Sequence, residues 1–290
     1  DPHATDVFGW SVSVSGDYAI VGAMRDDAPG TDSGAAYILF NNAGTWGQVA
    51  KLTAADAAAG DYFGYAVSIS GSRAVIGALG EDAGGADSGS AYVFYKNGAA
   101  WVQEAKLVGS DTVKFDAFAN AVSIRGDYLV AGARGDDDLG SNSGSAYLFH
   151  RTGGTWVQAA KLMMADGVDG DQFGASVAVD GYEVFVGARG DDDLGSFSGS
   201  VLVFHAEVID CNGTGSPDDC ESIGAGDFDG DGDLDAVDLY HLVDCLSGPG
   251  GTPVPDPGIC LDTCLDVFDL DVDGDVDLGD FGLFQEMYAG

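Results

Sequence analysis

The stretch "FGWSVSVSGDYAIVGA" (residues 8–23) decides the fold, because it returns three times at one fixed distance. "FGYAVSISGSRAVIGA" begins at Phe63, "FANAVSIRGDYLVAGA" at Phe118 and "FGASVAVDGYEVFVGA" at Phe173, a step of 55 residues with no insertion. The same step links Gly34, Gly89, Gly144 and Gly199, which open "GAAYILF", "GSAYVFY", "GSAYLFH" and "GSVLVFH". It also links Trp46, Trp101 and Trp156 in "WGQVAKL", "WVQEAKL" and "WVQAAKL". A period of this kind marks a stack of similar supersecondary units, each burying its apolar faces on its neighbours.

Each unit reads as four strands. In "SVSVS" Val12 and Val14 alternate with serines, the period of a strand with one apolar face. "YAIVGA" and "AAYILF" are continuous apolar runs, as expected of strands covered on both sides. "SGDY" (residues 15–18) and "RGDY" (residues 125–128) are short turns between them. The "W…KL" segment supplies the fourth strand. Four-stranded units at this spacing predict a mainly β fold, a β-propeller of 55-residue repeats over residues 1–206. The units fall near residues 8–40, 46–94, 101–149 and 156–204. In this phasing the first unit lacks its "W…KL" strand, and "HAEVI" (residues 205–209) is the candidate substitute. The chain opens in mid-pattern with no signal peptide, which reads as a processed or truncated chain. The "FG…GA…SG" marks resemble the bacterial FG-GAP family, whose relatives form the head of integrin α-chains. The resemblance covers about the first 205 residues and implies a propeller used for protein contact or adhesion.

After each "GA" comes an acidic loop, with Asp27, Asp82, Asp137 and Asp192 at one repeat position. Two readings are open: turn chemistry, with Asp and Ser satisfying local amides, or one calcium ion per unit. "RGD" occurs at residues 134–136 and 189–191; its place in the repeat marks it as a turn rather than an integrin ligand.

The formal charge of −37 argues against nucleic acid and anionic membranes as partners and in favour of cations. No apolar run is long enough to span a membrane. All eleven Lys and Arg precede residue 190, whereas residues 207–290 hold 22 Asp and Glu and all five cysteines. That segment reads as a second domain.

An EF-hand-type loop sets oxygen ligands at positions 1, 3, 5, 7, 9 and 12, with Gly at 6. Asp227, Asp229, Asp231, Gly232, the carbonyl of Asp233, Asp235 and Asp238 fit those offsets. Asp269, Asp271, Asp273, Gly274, the carbonyl of Asp275, Asp277 and Asp280 fit them again. Six aspartates this close repel by about 4 kcal/mol per near pair at a protein surface, and a divalent ion offsets that. Oxygen ligands throughout point to calcium over zinc or copper. Apolar residues at helical spacing follow each loop (Leu239, Leu242, Val243, Leu246; Phe281, Phe284, Tyr288), so a small α, calcium-loop domain is expected.

Asp at position 12 and a single helix after each loop resemble the type I dockerin family over about residues 225–290. The resemblance implies calcium on both loops and a cohesin-like protein partner for the helices. The insert "SGPGGTPVPDPG" (residues 247–258) lengthens the link between them, and Ala236-Val237 and Leu278-Gly279 stand where dockerins commonly place Ser-Thr. A third loop, "DCNGTGSPDDCE" (residues 210–221), offers Asp210, Asn212, Thr214, the carbonyl of Ser216, Asp218 and Glu221, and resembles the calcium repeats of thrombospondin-like proteins. Its alternative is a turn closed by a Cys211–Cys220 disulfide. Cys245, Cys260 and Cys264 leave one cysteine over, or form a zinc site with His241. Clustered cysteines suggest an oxidising, extracellular or cell-surface setting.

The expected function is a non-enzymatic, secreted, calcium-binding surface protein for protein contact, adhesion or assembly. One alternative is a filament subunit joined by strand or domain donation, since an unfilled strand edge invites addition. Another is a dockerin-bearing polysaccharide-degrading enzyme, which would need two carboxylates at glycosidase separation.

Overall fold

The computed structural model describes residues 3–27, 29–181, 183–196 and 198–205. These belong to the first of two units into which the chain divides, Asp1–Phe204 and His205–Gly290, apart from His205 itself.

The described residues are all β and fold into four antiparallel sheets. The first holds β1 (Val12–Ser15), β2 (Tyr18–Ala23), β3 (Ala35–Asn42) and β4 (Thr45–Leu52) in that order. The second holds β5 (Phe63–Ser70), β6 (Arg73–Ala78), β7 (Ser90–Asn97) and β8 (Ala100–Leu107). The third holds β9 (Phe118–Arg125), β10 (Tyr128–Ala133), β11 (Ser145–Thr152) and β12 (Thr155–Leu162). The fourth holds β13 (Phe173–Asp180), β14 (Glu183–Ala188) and β15 (Ser200–His205). The arrangement is that of propeller blades.

One expectation is corrected. The "W…KL" strand does not open a blade but closes the preceding one: Tyr37 pairs with Lys51 and Asn42 with Thr45. The reason is local. Ala43 and Gly44 both take positive φ (50° and 91°), giving a two-residue hairpin whose twist matches its strands. Gly153 and Gly154 repeat this turn at φ 57° and 88°. In the second sheet the two-residue loop is Gly98-Ala99, with Gly98 at φ 61°. The first sheet is therefore complete, and the fourth lacks an outer strand among the described residues.

Neighbouring sheets pack face to face. Ile20, Ala36, Ile38 and Leu52 of the first sheet meet Phe63, Val67, Ile69 and Ile76 of the second. Val75, Ala91, Val93 and Leu107 of the second meet Phe118, Val122, Ile124 and Leu129 of the third. Hydrogen bonds join the sheets at repeat positions. Ser13, Ser68 and Ser123 accept from the amides of Ile69, Ile124 and Val179 at 3.2, 3.2 and 3.1 Å. The carbonyls of Ser33, Ser88 and Ser143 accept from the amides of Phe63, Phe118 and Phe173 at 2.9, 2.8 and 2.9 Å. Glu104 of the second sheet holds Arg73 of its own sheet at 3.1 Å and Arg151 of the third at 3.0 Å. Burial would raise the Glu104 carboxyl, but hydrogen bonds from Trp156 and Arg73 bring it below the ordinary range.

Among the described residues, both ends of the series are uncovered. Val12 and Val14 are 69% and 67% exposed, whereas their counterparts Val67, Ile69, Val122 and Ile124 are buried. At the other end Val201 and Val203 are 65% and 47% exposed, whereas Ala36, Ile38, Ala91 and Val93 are buried.

Candidate functional site

The acidic turns are built from their own side chains. Asp27, Asp82 and Asp137 each accept, through Oδ1, the amide five residues on (Asp32, Asp87, Asn142) at 2.9, 2.9 and 2.6 Å. These are turn-forming contacts, as one of the two readings of the loops expected. Among the described residues no three His, Cys, Asp or Glu side chains are grouped to hold a metal ion. The "RGD" turns are equally structural. Asp136 and Asp191 are buried, and the Asp136 carboxylate accepts from Ser145 at 2.8 Å.

The sequence reading missed a cluster that recurs in three sheets. In the third, Lys161 Nζ lies 2.8 Å from Asp136, 2.8 Å from Asp111 and 2.6 Å from Asp138. It also sits 5.3 Å from the centre of the Tyr147 ring, whose hydroxyl donates to Asp111 at 2.8 Å. In the second, Lys106 reaches Asp56 at 2.6 Å and Glu81 at 2.8 Å and lies over Tyr92. In the first, Lys51 reaches Asp26 at 2.8 Å and lies over Tyr37. The lysine comes from the outer strand, the tyrosine from the strand beside it, and the acids from two loops at one end of the sheet. The signal was in the sequence: the Lys of "AKL" and the Tyr of "AAY" or "SAY" recur at the repeat step.

Electrostatics fit a structural role. Burial opposes the charge on Lys161 and Lys106, yet hydrogen bonds to their acids raise both above the ordinary lysine range. Burial would also raise Asp56, Asp111 and Glu81, but their lysine partners hold them low. All stay ionised near neutrality, so none is poised to exchange protons there.

A second recurring carboxylate closes the turn before each sheet. Asp61, Asp116 and Asp171 accept the amides of Ala58, Val113 and Val168 at 2.6, 2.6 and 2.7 Å. Burial pushes the Asp116 carboxyl up to about 6, with the charges of Asp136 and Asp137 adding to it. A carboxyl whose native pKa exceeds its unfolded value destabilises the fold progressively as pH rises from the unfolded value, near 4, to about 6. Asp116→Asn is therefore expected to gain about 1–2 kcal/mol relative to the parent between pH 4 and pH 7. Urea denaturation at the two pH values measures it; a difference that stays flat across the range contradicts the assignment.

The predicted calcium ligands Asp227, Asp229, Asp231, Asp233, Asp235 and Asp238 lie outside the described residues. So do Asp269, Asp271, Asp273, Asp275, Asp277 and Asp280, and Asp210, Asn212, Thr214, Ser216, Asp218 and Glu221. The five cysteines and His241 lie outside them too.

No curated protein matches the chain. Among solved structures, Sqt1 of Saccharomyces cerevisiae is similar at 12% identity and a TM-score of 0.40, over 70% of this chain and 45% of that one. The N-terminal domain of Nup159 is similar at 10% identity and a TM-score of 0.37, over 67% of this chain and 44% of that one. The chain thus spans less than half the length of either. The FG-GAP repeat family matches residues 1–40, 46–94, 101–149 and 156–204. With four sheets built on those repeats, the chain belongs to the FG-GAP repeat family.

Proposed function

We propose that this chain is a non-enzymatic, secreted surface protein whose blades make protein contacts and whose C-terminal segment binds calcium for attachment or assembly. FG-GAP repeats suggest a propeller for protein–protein interaction. One observation carries the reading: the acids that recur with the repeat, Asp26, Glu81 and Asp136, are each tied to a lysine and a serine or tyrosine of their own sheet. Repeated carboxylates spent this way serve architecture, and function falls to the surfaces between and beyond the blades. Calcium rests on the ligand spacing of residues 227–238 and 269–280, and the extracellular setting on the clustered cysteines. The uncovered ends favour a second reading, a subunit of an extracellular filament.

Calorimetric titration of the chain with calcium tests the leading reading. At least two sites per chain are expected, lost on pairing Asp231→Asn with Asp273→Asn while the β circular-dichroism signal stays. A chain that takes up no calcium would refute the attachment module.

A further inference from the structure

The first two sheets enclose a cavity of about 320 Å³ at the end that carries the β1–β2 and β5–β6 turns. That is the small end of the range for ligand sites, about 300–1,000 Å³, and has room for a single ring. Tyr18 of β2 and Phe40 of β3 form its aromatic wall, with ring centres 4.9 Å apart. Lys96 of β7 lines it from the second sheet, its Nζ 5.3 Å from the centre of the Tyr18 ring. Trp101 of β8 meets the same tyrosine edge-on at 6.0 Å. Ser72 and Asp17, both exposed, stand at the rim.

The repeat shows what these positions hold elsewhere. Arg73, Arg151 and Trp156 stand one repeat after Tyr18, Lys96 and Trp101. At the junction of the second and third sheets all three donate to the Glu104 carboxylate, at 3.1, 3.0 and 3.3 Å. Both arginines also reach Asp127, at 3.7 and 3.6 Å. At the junction of the first and second sheets both acids are exchanged. Val49 holds the repeat position of Glu104, and Ser72 that of Asp127. Val49 is 51% exposed and brings no charge. The cation and the indole are kept, and Tyr18 and Phe40 add aromatic surface beside them. The lining thus retains the donors of a carboxylate site and has lost the carboxylates built into the next one. A charged donor holds a carboxylate more strongly than a neutral one. Asp17 at the rim disfavours a bare anion, yet it accepts from hydroxyls carried by the same ligand.

We propose that this cavity binds an acidic sugar, a single hexuronate ring. Lys96 holds the carboxylate, Tyr18 and Phe40 offer aromatic surface to the apolar face of the ring, and Ser72 and Asp17 bond its hydroxyls. Such a site goes beyond the protein-contact and calcium readings and depends on neither.

The test is saturation-transfer NMR of the 290-residue chain with methyl glucuronide and with its neutral counterpart, methyl glucoside. Saturable binding of the glucuronide is expected, with a Kd on the order of 1 mM for so small a ligand. The glucoside should bind at least about fivefold more weakly, and Lys96→Gln should weaken the glucuronide by a similar factor. Val49→Glu restores the carboxylate of the next junction at an exposed position. It supplies an internal competitor and should also weaken the glucuronide at least about fivefold. Circular dichroism checks that each variant keeps its sheets; should Lys96→Gln not fold, Val49→Glu decides alone. Absence of saturable binding overturns the proposal. So does equal binding of the two sugars, or a folded variant of either kind that binds the glucuronide as the parent does. Acetate that displaces the glucuronide at equal concentration would reduce the site to a bare carboxylate subsite and overturn the sugar assignment.

Discussion

Gly132→Ala is expected to destabilise the blade series by about 3 kcal/mol or more, while Gly187→Ala, one repeat later, costs less than about 1 kcal/mol. A Cβ on Gly132 would stand 1.9 Å from the carbonyl oxygen of Gly174 in the next sheet. Backbone meets backbone there, so relief requires the two sheets to part. Gly22 and Gly77 sit in the same vice, 2.0 Å from the oxygen of Gly64 and 2.1 Å from that of Ala119. The glycine of every internal "GA" mark is thus a blade contact. At Gly187 no described sheet packs beyond, and the added carbon meets the Ser176 hydroxyl at 2.4 Å, the free end of a side chain that can rotate. Urea midpoints of the two variants give the comparison. Equal losses would mean that strand geometry, not blade contact, demands the glycine.

Phe118→Ala should cost about 3–5 kcal/mol, the usual loss for emptying a sealed aromatic site. Phe118 is fully buried and meets Tyr147 and Phe149 edge-on at 5.3 and 6.1 Å. Phe8 holds the same repeat position and touches Tyr37 at 5.2 Å, but is 44% exposed, with no described sheet packed over it. Phe8→Ala should therefore cost less than about 1 kcal/mol, since water already reaches the ring. Thermal unfolding of both variants separates the positions. Losses of similar size would show that the first face is covered in solution.

These contrasts use one property of the array: chemically equal residues differ only in whether a neighbour follows. Interior positions of a repeat are buried on both faces, and terminal ones on one. The same logic explains the ladder of Ser13, Ser68 and Ser123, each bonded to the next sheet, and its end at Ala178, beyond which no described sheet lies.

The sequence by itself determined the four repeats, their strands and the turns, because alternation and a constant step are local features that survive without coordinates. It also marked the three clusters through the recurring Lys and Tyr, although "AKL" read in isolation was only the end of a strand. Only the tertiary structure decided which blade owns the "W…KL" strand, since a two-residue hairpin outcompetes a ten-residue link in choosing a partner. Only it showed that the "RGD" acids are buried. Such facts depend on groups far apart in the chain arriving at one place, and packing between sheets, not the period of the sequence, brings them there.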